Sequence, residues 1–281
     1  MTRRLTLLLL LGSLLALGGC SPDPDAGTTE RPGAQPSAAR GERPDPLQGA
    51  RLVAQGRLTV CSDIPYAPFE FIEKGNAEGL TGFDVELVRA LAERLGLTAD
   101  FRATPFDAII PALAAGNCDL VASATTITEE RRRKVAFSEP YFDADQSLLL
   151  RAEDRDRYTS LEDLKGRSIG VQSGTTGERY AKTHAPEGTV VKAFPGAEDL
   201  FSALVSGDID AVLQDFPVNQ YRALNAGGQF QVSETFKTGE QYGFAVAKDN
   251  GGLVAALDRA LAEVRGSGRY QAIYRRWFGE P

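Results

Sequence analysis

SATTITEERRRK, residues 123–134, sets three consecutive arginines behind a run of small hydroxyl residues. A guanidinium is a planar fork that matches a carboxylate, and hydroxyls such as Thr126 Oγ1 supply donors beside it. Elsewhere two acids, Asp63 and Asp215, each follow a short β-rich run, and an acid at such a place wants a cation. Tyr66 and Phe106, also just past β-rich runs, offer flat aromatic faces.

Three neighbours on a helix rotate by about 100° each and cannot all face one crevice. Thr128 is a good N-cap, and Glu129 and Glu130 suit the first turn of a helix. Glu129 can pair with Arg133, and Glu130 with Lys134, at i,i+4 in the favourable order. That assigns Arg133 and Lys134 to a solvated face. Arg131, in the first turn beside a strand end, is best placed to reach a cleft.

These residues must be positioned by alternating elements. RLTVCSD (57–63) reads as a strand, and FDVELVRALAERLG (83–96) as a helix with Val85, Leu87, Val88, Leu91 and Leu95 at helical spacing. TADFRAT is a strand, FDAIIPALAAGN a helix, CDLVASAT a strand and EERRRKVAF a helical turn or two. A second series follows: SLEDLKG leads into the strand RSIGVQS, then a helix from Thr176 to about His184, the strand TVVKAF, the helix AEDLFSALVSGD and the strand IDAVLQD. GNCDLVAS (116–123) and GDIDAVLQ (207–214) hold matching places in the two series. Such alternation implies mostly parallel sheets covered by helices, here two similar α/β lobes. If the helical C-terminal stretch returns to the first lobe, two strands cross between lobes, LLLR (148–151) and QYGFAVAK (241–248). A two-strand hinge makes a cleft that opens and closes.

Ligands sit off the carboxyl ends of parallel strands. There the sequence places Ser62 to Phe69, Thr104 to Phe106, Ser123 to Thr126, Ser173 to Thr176, and Gln214-Asp215. Arg131 on one lobe and Asp215 on the other describe a site for a zwitterion, with the helix N-terminus at Thr176 as a second hold on its anionic end. Each residue also has a plainer reading. Tyr66 and Phe106 fit a core, Asp215 a strand-end cap, Asp63 a turn, and Ser123 a partner for backbone groups. His184, alone near a helix end, reads as a surface residue.

The chain ends bound the class. In MTRRLTLLLLLGSLLALGGC, Arg3 and Arg4 precede an apolar run too short for a good transmembrane helix, which reads as an export signal, residues 1–19. Its end, LGGC, resembles the bacterial lipobox, which implies a lipidated Cys20; the alternative is an ordinary secretory signal with a chance cysteine. Residues 20–46 are rich in Pro, Gly, Asp and Ser and read as a flexible tether. Removing Arg3 and Arg4 from 31 basic residues leaves 29 against 38 acidic ones, a net of −9. No basic patch exists apart from the arginine run, so nucleic acid is not an expected partner. One histidine and three cysteines without clustering make a zinc site improbable, and no metal or cofactor is expected. With Cys20 lipidated, Cys61 and Cys118 form an even pair in a disulfide-permissive compartment, as a bridge or as two buried thiols.

DIPYAPFEF (63–71), GFDVEL (82–87), TITEER (126–131) with FSEPY (137–141), GTT (174–176) and QD (214–215) together resemble the polar amino acid family of bacterial extracellular solute-binding proteins, family 3. The resemblance covers roughly residues 47–279. It implies a type II periplasmic-binding fold, two Rossmann-like α/β lobes joined by a two-strand hinge: residues 47–147 plus 243–281 in lobe 1, and 148–242 in lobe 2. It implies that Arg131 takes an α-carboxylate, assisted by Thr126 and the backbone of Ala124, with Ser123 also among the ligand-binding residues, and that Thr176 holds the same group from lobe 2. Asp215 takes the α-ammonium, Tyr66 and Phe106 sandwich the side chain, and Asp63 lines its far end. Thr125 departs from the family, where a larger apolar residue is frequent. The implied fold sets the strands of Cys61 and Cys118 side by side, which favours the bridge.

The expected role is then non-enzymatic. It is capture of a polar L-amino acid by hinge closure, lysine or arginine before glutamine, and delivery to an ABC importer by a monomer anchored outside the cytoplasm. Two alternatives share the fold, a cyclohexadienyl or arogenate dehydratase and a sensing module for a separate receptor.

Overall fold

The computed structural model describes residues 45–73, 75 and 79–280. The export signal, Cys20 and the tether up to Pro44 lie outside them. The described residues form one compact unit.

The chain runs through β1 (Arg57–Ser62), a small antiparallel pair β2 (Phe71–Ile72) and β3 (Leu80–Thr81), α1 (Phe83–Arg94), β4 (Thr98–Ala103), α2 (Phe106–Ala114), β5 (Leu120–Val121), α3 (Glu129–Lys134) and β6 (Val135–Phe137). It continues through β7 (Phe142–Arg151), β8 (Ser168–Gln172), α4 (Thr176–His184), β9 (Val190–Phe194), α5 (Ala197–Ser206), β10 (Ala211–Asp215), α6 (Phe216–Asn225) and β11 (Phe230–Tyr242). It closes with β12 (Ala245–Ala247), α7 (Gly251–Gly266) and α8 (Arg269–Phe278).

Two five-stranded sheets result, in the orders β4-β1-β5-β12-β6 and β11-β7-β10-β8-β9. In the first, β4, β1 and β5 are parallel and β12 runs antiparallel to β5 and β6. In the second, β9, β8 and β10 are parallel, and β7 and β11 run antiparallel. Strand ends from two parallel sets therefore meet at one crevice, where open α/β sheets bind ligands.

Each helix covers the sheet with the stripe its sequence sets. α1 carries Asp84 and Glu86 in its first turn, which suits the dipole, and buries Val85, Leu87, Val88 and Leu91. It packs against α7, whose Leu253, Leu257 and Leu261 are equally buried. Each such leucine contributes about 1.5–3 kcal/mol on burial. α2 covers the other face through Ile109 and Leu113, in a cluster with Val121 and the Cys61–Cys118 disulfide. The cysteine Cα atoms lie 5.8 Å apart, as the expected bridge requires. α5 stops at Gly207, whose φ of 81° is the left-handed turn that glycine takes without strain.

Several element readings need correction. Val135-Ala136-Phe137 is an edge strand paired with β12, not a continuation of the arginine helix, because Val135 and Phe137 bury into the α2 cluster. QYGFAVAK is two strands, not one. β11 ends at Tyr242 in the second sheet, and β12 begins at Ala245 in the first. Between them a side chain at Gly243 would meet Ile127 Cδ1 at 2.8 Å, so the crossing is made at a residue without one. The other crossing strand begins at Phe142 rather than Leu148, and it pairs with β11 from Phe142↔Tyr242 to Arg151↔Phe230. That ladder is interrupted by register shifts, one between Phe236 and Glu240.

Candidate ligand-binding site

α3 exposes Arg132, Arg133 and Lys134 and half-buries Arg131. Thr128 caps it, accepting from the Arg131 amide at 3.1 Å. Lys134 pairs with Glu130 at 3.1 Å, as the spacing predicts, whereas no Glu129–Arg133 pair forms among the described residues. Arg131 turns into the crevice. Its Nη1 donates to the Thr126 carbonyl at 2.8 Å and its Nη2 to the Gly174 carbonyl at 3.1 Å, from the opposite lobe. The guanidinium carbon lies 5.1 Å from the Phe106 ring centroid, so Phe106 carries the cation on its face. Burial holds the Arg131 pKa below its ordinary value, against the smaller opposing pull of the nearby Asp215 and Glu240 carboxylates.

Asp215 ends β10 and is 7% exposed. Three neutral groups donate to it, Tyr242 Oη at 2.6 Å, Gln146 Nε2 at 2.6 Å and Tyr66 Oη at 2.9 Å. Burial, then the Glu240 charge, pushes its pKa up to about 6 against those hydrogen bonds. Tyr66 and Tyr242 are pushed well up, first by burial and then by Asp215.

Seven of the nine expected binding residues line a single central cavity: Tyr66, Phe106, Ala124, Thr126, Arg131, Thr176 and Asp215, with Gln172 and Thr175 added. The cavity measures only about 10 Å³, so the lobes are closed upon it. It is flanked by cavities of about 650 Å³ on the Arg131 side and about 400 Å³ on the Asp63 side. Ala124 stands at φ 42°, a left-handed conformation uncommon for a non-glycine residue, and its amide donates to Asp84 Oδ2 at 2.9 Å. Asp84 is pushed up to about 7, mainly by burial.

Asp63 and Ser123 lie outside the central lining. Asp63 borders the 400 Å³ cavity and accepts from Gln172 Nε2 at 2.5 Å, across the lobes. Burial raises it to about 6. Ser123 takes the structural alternative, accepting from the Asp63 amide at 3.0 Å and donating to Glu70 at 2.5 Å. Glu70 is buried and held well above the usual carboxylate range by that burial.

Sequence reading missed Glu240. It accepts from Thr176 Oγ1 at 2.8 Å, Thr126 Oγ1 at 3.0 Å and Gln146 Nε2 at 3.1 Å. Two of these donors are the hydroxyls that the expected site reserves for a carboxylate. The available signal was a carboxylate two residues before the Tyr242-Gly243 crossing. Among the described residues no group of His, Cys, Asp and Glu could hold a metal ion, and no helix is long and apolar enough to cross a membrane.

The arrangement offers a cation and hydroxyl donors to an anion, and an acid ringed by hydroxyls to a cation. Comparison with known proteins agrees with it. The family model for bacterial extracellular solute-binding proteins, family 3, matches residues 58–280. A histidine-binding periplasmic protein of Escherichia coli (strain K12) is 32% identical over 231 residues, covering 79% of this chain and 87% of that protein. A solved ancestral arginine-binding protein bound to arginine is 40% identical with a TM-score of 0.75, covering 80% of this chain and 99% of the other. An ancestral amino acid-binding protein, a precursor of cyclohexadienyl dehydratase, is 39% identical with a TM-score of 0.74, covering 79% and 96%. The fold is that of type II periplasmic-binding proteins, and this chain belongs to the bacterial extracellular solute-binding proteins, family 3.

Proposed function

We propose that this chain is an extracytoplasmic lipoprotein, anchored through Cys20, that captures a basic L-amino acid by hinge closure and hands it to the permease of an ABC importer. One observation carries the reading: Arg131 from α3 in one lobe and Asp215 from β10 in the other face the same cavity, and neither is consumed in an ion pair among the described residues. A ligand carboxylate at Arg131 and an ammonium at Asp215 would bridge the lobes, so binding favours the closed state by its contacts to the second lobe. The side chain then points to the Asp63 side, where about 400 Å³ and a carboxylate suit lysine or arginine before glutamine. Relatives named for binding histidine and arginine support a basic side chain.

A thermal-shift screen of the twenty amino acids tests the reading, since a ligand that binds only the folded chain raises its melting temperature. Lysine or arginine should give the largest shift, and no shift from any amino acid would overturn it. Arogenate and prephenate belong in the same screen, because the dehydratase precursor among the similar structures favours an enzyme as the second reading. A dehydratase has less use for an acid that accepts an ammonium, and turnover of either compound would replace binding as the function. Labelling with a fatty acid that vanishes in Cys20→Ala tests the anchor.

A further inference from the structure

Glu240 sits where no binding role was expected, and its position is built rather than accidental. β11 leaves its register with β7 after Phe236 and resumes it at Glu240. The intervening bulge is clamped by Asp145 of β7, which takes Lys237 Nζ at 2.8 Å and the Gly239 amide at 3.2 Å. A bulge re-aims the side chains that follow it. Here it sends the Glu240 carboxylate off the hinge strand and into the cleft, half-buried. There Glu240 takes one hydroxyl from each lobe, Thr126 beside Arg131 and Thr176 at the start of α4.

We propose that Glu240 is a tethered stand-in for the ligand's α-carboxylate. It holds the two lobes together in the ligand-free protein and must be displaced before cargo binds, so it sets the affinity of the site. The proposal rests on the amino acid reading above for the second half only. A hydroxyl hydrogen presented to Glu240 is not free for another anion, and Gln146 Nε2, shared by Glu240 and Asp215, links the two ends of the cavity. Molecules in the tethered state cannot accept cargo. Their presence weakens apparent affinity by the fraction that is competent.

The test is Glu240→Ala in the full-length protein, read in two ways. The first needs no ligand: small-angle scattering, or the distance between one spin label on α1 and another on α5, reports lobe separation. The variant should be more open than wild type, and an unchanged separation would overturn the proposal. The second is calorimetry with lysine and arginine. Apparent Kd should fall about five- to tenfold, the factor expected when the tethered form makes up some 80–90% of ligand-free molecules. An unchanged or weakened Kd would instead make Glu240 a bystander or a direct ligand contact. Asp145→Ala, which frees the bulge that aims Glu240 and removes no side chain from the cleft, should reproduce both effects in part, and failure to do so would also count against the device. If no amino acid binds either protein, the scattering result still decides the first half, which separates failure of this inference from failure of the proposed function.

Discussion

Asp215→Asn should lose ligand and gain stability at once. The substitution keeps the shape of the side chain and removes its charge. In the folded chain burial, above all, pushes the carboxyl up to about 6, against 3.8 for a free aspartate. At pH 7 the ionised form therefore costs about 3 kcal/mol relative to a group that never ionises. An amide recovers only part of this. Its oxygen can still accept from Tyr66 and Tyr242, but its nitrogen meets Gln146 Nε2, a donor. A net gain of about 1–2 kcal/mol remains, which is a rise of roughly 2–8 °C in Tm for a chain of this size. Binding moves the other way. Leaving a buried ammonium without its charged partner costs about 2–5 kcal/mol, and 3 kcal/mol is about 150-fold in Kd. Calorimetry and melting on the same preparation measure both. A lower Tm in the variant would mean that the hydrogen bonds of Asp215 outweigh its desolvation, and a Kd within about threefold of wild type would remove it from the site.

Arg131→Ala should weaken binding by about 3 kcal/mol or more, over a hundredfold, while Arg132→Ala, exposed with its guanidinium over Phe137, should change Kd less than about twofold. Equal losses would undo the helix-face argument. Acidification from pH 7 to 5 should weaken amino acid binding, because protonating Asp215 near pH 6 removes the ammonium's counter-charge, and a flat profile by calorimetry would contradict this. The stability of the ligand-free chain should move oppositely. Asp84 and Asp215 have folded values raised above 3.8, so their contribution is fully present below about pH 4 and is lost as pH rises through 6 to 7; urea midpoints across that range read the sign. Reducing the Cys61–Cys118 bridge, which spans 57 residues, should cost about 4 kcal/mol in the loop-entropy account, visible as a lower urea midpoint with dithiothreitol.

Much of the frame was legible because its signals are local. The helix from Thr176 to His184 has the expected bounds, and the turn before it supplies its own cap, Thr175. Arg131 could be chosen among three arginines because helical rotation is fixed by geometry, even though only one of the two expected ion pairs forms. Glu240 could not be found the same way. It lies in a 13-residue strand whose exposed and half-buried residues alternate, and a bulge that depends on Asp145, 94 residues away in sequence, decides where its side chain goes. The Val135–Phe137 strand hid behind the helix before it, since a three-residue apolar run carries no period of its own. Asp63, expected at the far end of the ligand side chain, borders a flanking cavity instead of the central one, and its partner Gln172 comes from the other lobe and leaves no mark near it.

The small cavity between the lobes has room for about one water molecule, too little for an amino acid while the halves are shut. How long a cargo stays is then a mechanical property of the doorframe as much as a chemical one of the seat. Gly243, which lets the returning strand slip past Ile127, is not part of the cavity lining. Bulk added at that position would alter the dwell time of every solute alike and leave their order of preference as it was.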